Sequence, residues 1–479
     1  MNKKRRKKST GVLVSLLLLA LAGGVALFLM HIYEIDAFIS DLLQPSETAS
    51  AAPAPAADIP EEDEPEDEPE PETVRNVIEN LSVDAGSDYF FSQAENTLSK
   101  TGGEDEDEAA LLSAIMYYAV GKGSREKLDN VIKAIDKAGA VDKDFARTCR
   151  IAAEGCNARW ETAQADAIFS FVGDCTFGRI NESNSGKLFP KVFERSGSPT
   201  YPFDFVRTVF TCDDLTVINF EGTLTTSKHQ ADKQWRFRGD PEYAKILPLS
   251  SVEAATLANN HSIDYHEQGL KDTEKYLKAE GVGTFRYDDV LVKSIETKNG
   301  TFEAAFIGCS FTITKEKIKN MLASVDEHKR AGRLVVVVLH WGKEYTDKPV
   351  PNQVELAHLL IDAGADLIVG HHPHVLQGIE KYKGKYIAYS LGNFAFGGNT
   401  VDKNPHTVIL RAWIGMTSGK PEISNISVVP CHATSSGNST NNYRPVPLFG
   451  KEGDKTADYL LSLCKKIGGG LTEIARSGI

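Results

Sequence analysis

From Ala167 onward the sequence predicts an α/β fold, with a layered sheet buried between helices. Three observations predict it. Short apolar runs of strand length recur through residues 166–432. Stretches with apolar residues at helical spacing, Gln268–Ala279 and Asn352–Ala363, fall among them. Most of the runs also end abruptly in a cluster of polar side chains. Alternating strand and helix signals are the pattern of a sheet covered by helices.

The elements follow in order. Residues 1–10 are a basic stub carrying Lys3-Lys4-Arg5-Arg6-Lys7-Lys8. Gly11 to Met30 are uncharged and mostly apolar. At about 1.5 Å per residue, such a helix spans a hydrocarbon core of roughly 30 Å. A secretory leader has a shorter apolar core, about 7–15 residues, and a small-residue cleavage site. Met30-His31-Ile32-Tyr33 is a poor cleavage site, so residues 11–33 are expected to form an uncleaved transmembrane signal-anchor helix. Basic residues stay on the cytoplasmic side. The expected location is therefore the cell membrane, single-pass, with the C-terminal domain extracellular.

Residues 34–73 read as a disordered, acidic, Pro-rich linker running into Glu61–Glu72. Proline stiffens it, its charges repel one another, and it has too little apolar surface to fold. Residues 74–163 are expected to form a small helical region. Ala109–Tyr118 is apolar at helical spacing, and Leu128, Val131, Ile132 and Ile135 repeat it. Residues 166–432 form the main domain. Its strand-like runs are Ile168–Val172, Leu215–Phe220, Ala304–Gly308, Leu334–Leu339, Leu367–Val369, Tyr386–Tyr389 and Thr407–Trp413. Residues 433–479 read as a Ser- and Asn-rich loop followed by a helix over Lys455–Lys466.

The formal net charge is −13. Taking away the stub's +6 and the −10 of Asp58–Glu72 leaves −9 on the rest. Such a surface argues against a nucleic-acid partner. An anionic substrate would have to be caught locally, by a metal or a few arginines. The seven cysteines are too sparse for a disulfide framework and include no CxxC.

The chemistry lies where the runs end, which is where α/β folds build their sites. Val172-Gly173-Asp174 ends the first run and Phe220-Glu221 the second. Asn259-Asn260-His261 follows a short third, and His340-Trp341-Gly342-Lys343-Glu344 ends a fourth. Gly370-His371-His372-Pro373-His374 ends a fifth and holds three of the twelve histidines. Taken singly, each has an ordinary reading as turn former, helix cap or buried histidine. Together they make a mixed carboxylate, amide and imidazole set suited to Mn²⁺, Zn²⁺ or Fe²⁺. Carboxylates can bridge two such ions, and a pair roughly 3.5–4 Å apart activates water.

In this order, GDCTFGR, INFEGTL, LANNHSIDY, LHWGKEY, GHHPHVLQG and YSLGNF resemble the CapA family over residues 167–432. These are bacterial capsule and poly-γ-glutamate biosynthesis proteins with a calcineurin-like metallophosphatase fold. The resemblance implies a metallophosphatase-like β-sandwich flanked by helices and a centre of one or two divalent ions. Asp174, Glu221, Asn260, His340, His372 and His374 would be the metal ligands, with Glu221 in the bridging position. His261 would be the general acid or phosphate contact. The chain departs from the wider superfamily in two places. Asp174-Cys175-Thr176 stands where Asp-X-His is usual, and Glu221 stands where Asp is usual.

Five further residues complete the candidate set. Glu344, four residues after His340, is a candidate base or histidine-orienting group. Arg236 and Arg238 alternate as on a strand and, with Arg179, are candidate clamps for carboxylate or phosphate. His371 is grouped with them as a substrate contact. The expected function is synthesis, release or export of an anionic capsule polymer such as poly-γ-glutamate. Partners would be the membrane, a polymer synthase or export membrane protein, and the polymer or a phosphoester. The alternatives are a surface metallophosphodiesterase or phosphatase, and a non-catalytic, metal-stabilised partner of a synthase.

Overall fold

The computed structural model describes residues 165–476, apart from 182, 184, 212, 298, 311–313, 402–403, 437–439 and 449. The expected stub, anchor helix, linker and helical region at 1–163 lie outside the described residues. Among the described residues, no helix is long and apolar enough to cross a membrane.

The fold is α/β, built on two large sheets. The first takes β1 (Ala167–Thr176), β3 (Leu215–Phe220), β6 (Ala254–Thr256) and β7 (Gly283–Phe285) in parallel. β15 (His406–Thr417) and β16 (Lys420–His432) extend it antiparallel on the other side of β1. β14 (Asn393–Phe396) pairs with the end of β1. The second sheet runs β12 (Ile379–Tyr382), β13 (Lys385–Ala388), β11 (Leu367–His371), β10 (Leu334–His340), β9 (Gly300–Ser310) and β8 (Leu291–Thr297). β2 (Arg179–Ile180), β4 (Thr223–Leu224) and β5 (Phe237–Gly239) form a small third sheet.

Alternation along the strands explains the layers. In β10, Val336 and Val338 face a core shared with Phe169, Phe171 and Val217 of the first sheet. Val335, Val337 and Leu339 face the opposite way, against α3 (Lys315–Arg330) and α4 (Pro351–Asp362). The first sheet's outer face carries Ile218, Phe220 and Ala255, packed beneath α2 (His266–Ala279) through Leu270 and Leu277. Each fully buried Val or Leu contributes about 1.5–3 kcal/mol, so the two-sided burial of β10 is a large share of what holds the second sheet in place.

The tail is part of the same body. β17 (Val446–Pro447) and β18 (Ala475–Arg476) pair with β16. The last helix, α5 (Gly450–Cys464), starts five residues earlier than the sequence indicated and buries Leu460, Leu463 and Cys464 in the inter-sheet core. Cys175, Cys309, Cys431 and Cys464 are buried free thiols.

Candidate metal centre

Parallel pairing brings the polar ends of β1, β3, β6, β10 and β11 to one edge. Asp174 lies in register with Asn219 on one side and Asn393 on the other. His340 lies opposite His371. Two glycines permit this closeness. A Cβ at Gly173 would collide with the carbonyl of Gly392, and one at Gly370 with the carbonyl of Tyr389. The backbone is strained where the histidines turn inward: φ is +93° at His372 and +57° at His374. Left-handed non-glycine residues of this kind persist where surrounding structure enforces them, often at functional sites.

Two groups of ligand atoms result, Asp174–Glu221–His340 and Glu344–His372–His374, each with its atoms within 4.8 Å of one another. They adjoin. Asp174 Oδ2 lies 3.0 Å from His374 Nδ1, Glu221 Oε1 lies 3.9 Å from His374 Nε2, and His340 Nε2 lies 3.2 Å from His372 Nδ1. Asn260 Oδ1 is 2.7 Å from His340 Nε2, which brings the amide to the same locus. All five predicted Asp, Glu and His ligands are buried.

Burial and mutual charge set the protonation states. Burial alone would push Asp174 up, but its bonds to His371 and His374 outweigh this and hold it well below the usual carboxylate range. Burial, then the charge of Asp174, pushes Glu221 well above that range. Burial and the neighbouring His372 drive His340 far down. Burial and His374 lower His372 to about 4. For His374 burial acts downward, yet Glu221 and Asp174 together raise it to about 10.

The residues fit a divalent cation. Both carboxylate oxygens of Glu221 are buried without a hydrogen-bond donor among the described residues. Leaving such a group unmatched costs about 1–3 kcal/mol, more when it is charged. A cation supplies what the protein withholds, and the neutral imidazoles of His340 and His372 suit ligation.

His261 sits at the rim of this cluster. Its Nε2 is 3.8 Å from Glu221 Oε1, and its Nδ1 is 2.7 Å from Asp264 Oδ2. The ring packs against Phe237 at 4.2 Å between centroids. Burial lowers its pKa, against the opposing pull of Asp264.

The four other candidate residues have partners of their own or lie elsewhere. His371, expected as a substrate contact, is buried with Nδ1 3.2 Å from Asp174 Oδ1 and so backs the ligand set. Arg236 donates to the carbonyls of Ala231 and Lys233. Arg238 donates to the Ser227 carbonyl and lies over the Tyr265 ring, so both bind their own loop. Arg179 lines a groove of about 360 Å³ with Lys191 and Tyr243 that includes none of the cluster's residues. Glu344, by contrast, is exposed yet lies beside His372 and His374.

Two residues went unread in the sequence. Asn219 Nδ2 lies 2.8 Å from Asp174 Oδ1 and 3.1 Å from His340 Nδ1, joining ligands from two sheets. Asp264 orients His261. Asn219 stands two residues before Glu221, and Asp264 three after His261, which were the available signals.

The family profile described as bacterial capsule synthesis protein PGA_cap matches residues 168–398, the segment that carries every one of these side chains. Over those residues the chain is similar to that family. The chain is 37% identical over 246 residues to the PGA biosynthesis protein CapA of Bacillus subtilis, covering 47% of this chain and 62% of that protein. It is 34% identical over 247 residues to the capsule biosynthesis protein CapA of Bacillus anthracis, covering 46% and 59%. The chain thus spans about three fifths of these relatives' length. Among solved structures, the calcineurin-like phosphoesterase YfkN of Bacillus subtilis aligns with 62% of this chain and 97% of its own, at 12% identity and a TM-score of 0.36.

Proposed function

We propose that this protein is a membrane-anchored, outward-facing component of anionic capsule polymer synthesis, release or export, with poly-γ-glutamate as the polymer and a divalent-metal centre in its PGA_cap-like domain. The observation that carries the metal reading is the buried carboxylate of Glu221, without a hydrogen bond among the described residues, beside Asp174, His340, His372 and His374. The capsule reading is supported by the domain's similarity to that family and by the names of its Bacillus relatives. The surface location rests on the basic stub and the apolar span Gly11–Met30. A polymer synthase or export membrane protein is the proposed partner, and the sandwich is read as metallophosphatase-like.

A hydrolytic role for the same centre is favoured by one specific feature, His261. A metal kept only for stability has no use for a buried, non-ligand histidine whose Nε2 faces the ligand cluster. One or two bound ions, Mn²⁺, Zn²⁺ or Fe²⁺, would supply Lewis acidity and an activated water. Asp174, Glu221, Asn260, His340, His372 and His374 would hold them, with Asn219 and His371 bracing Asp174. His261 would exchange a proton with the reacting group through Nε2 while Asp264 keeps its Nδ1 engaged. Glu344, exposed beside His372 and His374, is placed to meet solvent and substrate. The substrate would be a phosphodiester or phosphomonoester.

The test is metal analysis of the purified protein, then a hydrolase screen and gene deletion. Bound metal with phosphodiester turnover supports the hydrolase. Bound metal without turnover, with loss of polymer on deletion, supports a scaffold in polymer synthesis. Protease added to intact cells should remove residues 166–432 while residues 1–10 stay protected. Recovery of the domain in the cytosolic fraction would end the surface reading.

A further inference from the structure

The segment between β4 and β5 lies against the His261 turn as a strap, and one side chain ties it there. Lys233 sends its ammonium to two acceptors at once, the carboxylate of Asp264 and the backbone carbonyl of Asn260, the latter at 2.7 Å. Asp264 is fully buried, while the Lys233 side chain keeps 30% exposure. The strap is closed from both ends: Ala231 N–H donates to the Asp264 carbonyl at 2.8 Å, and Phe237 N–H donates to Asp264 Oδ2 at 2.7 Å. Arg236 in turn caps the Lys233 carbonyl.

The donor count around Asp264 fixes the imidazole. Oδ1 receives Lys233, and Oδ2 receives Phe237 N–H. An ammonium and an amide N–H can only donate, so the carboxylate is an acceptor at both oxygens. Beside an ionised Asp264, His261 Nδ1, 2.7 Å from Oδ2, is the donor, and the neutral ring then has its Nε2 lone pair on the side of Glu221. We propose that Lys233 is a positioning residue that braces two parts of the centre with one ammonium: through Asp264 it holds His261 in the Nδ1–H tautomer, and through the Asn260 carbonyl it holds the amide ligand. The inference rests on the reading of the centre above, but its test needs no turnover.

The test is ring-nitrogen NMR of the full-length protein with ¹⁵N-histidine, at a single pH of 7.5 without added metal. His261→Gln identifies the His261 signals. The wild type is expected to show a protonated Nδ1 and an unprotonated Nε2. In Lys233→Met the two signals should move toward the averaged values of a free imidazole, and Lys233→Arg should restore them. The dissociation constant for Mn²⁺ should rise about 10–100-fold in Lys233→Met, the range for lost outer-shell support. Should Lys233→Met fail to fold, Lys233→Gln serves the same comparison. Unchanged His261 signals in a folded variant would overturn the tautomer role, and an unchanged Mn²⁺ constant would overturn the bracing of Asn260. A protein with this tautomer and no hydrolase activity would keep the inference and remove only the catalytic reading.

Discussion

Replacing Glu221 by Gln separates a metal ligand from a packing residue, because the two roles predict opposite patterns. In the metal-free protein, burial and Asp174 hold Glu221 well above the usual carboxylate range, which favours its neutral form. A glutamine is then close to isosteric, and its two heteroatoms replace a pair that has no hydrogen-bond donor among the described residues. Stability without metal should change by about 1 kcal/mol or less. The metal response should change much more. An ion at 100 times its dissociation constant stabilises the folded state by about 2.7 kcal/mol. At roughly 2–4 °C per kcal/mol for a domain of this order of size, the wild-type melting temperature should rise by about 5–10 °C with Mn²⁺ or Zn²⁺. Glu221→Gln should lose most of that rise while melting within a few degrees of wild type without metal. The assay is differential scanning fluorimetry on chelated and metal-loaded protein. A full metal-dependent rise in Glu221→Gln would refute Glu221 as a ligand. Collapse of the variant without metal would make Glu221 a packing residue.

Two other outcomes follow. His261→Ala should keep bound metal but lose turnover of a phosphodiester reporter by on the order of 10²–10⁴-fold, whereas Asn260→Ala should weaken the metal itself; equal metal loss in both would merge their roles. Outside the ligand cluster, His406 and His432 face each other across β15 and β16 at 5.0 Å between ring centroids. Burial lowers both, and the charge of His406 lowers His432 further. The unfolded chain, with imidazoles near pKa about 6.5, therefore binds protons more readily than the folded one. Their contribution is fully present above about pH 6.5 and is lost as pH falls through that range. The urea midpoint should drop more between pH 7.5 and 5.5 in wild type than in His432→Gln; equal drops would contradict this.

Legibility followed burial. Leu334–His340 is buried at every position, with both faces covered, so its apolar run is unbroken and reads as a strand. Lys420–His432 is longer but alternates with exposed polar residues over its first half and contains Pro421 and Pro430, so it was not among the strand-like runs. Lys315–Arg330 buries Ile318, Met321, Val325 and His328 on one face, a helical period obscured by the charges between them. At the centre, Asp174, Glu221, His340, His372 and His374 were legible because each interrupts or follows an apolar strand. Asn219 and Asp264 were not, because they touch the histidines and Asp174 rather than supply a recognisable ligand pattern. The alternation of Arg236 and Arg238 was visible too. What their guanidiniums bind is decided by the fold of the 227–233 loop, which no local spacing encodes.

The most direct measurement is the metal content of the purified full-length protein by mass spectrometry, beside His372→Ala combined with His374→Ala. The account predicts one or two Mn, Zn or Fe ions per wild-type chain. It predicts a marked loss in the double variant with the circular dichroism spectrum retained, because the apolar strand cores do not depend on these histidines. A wild-type protein that takes up none of these metals, or a double variant with unchanged stoichiometry, would contradict it.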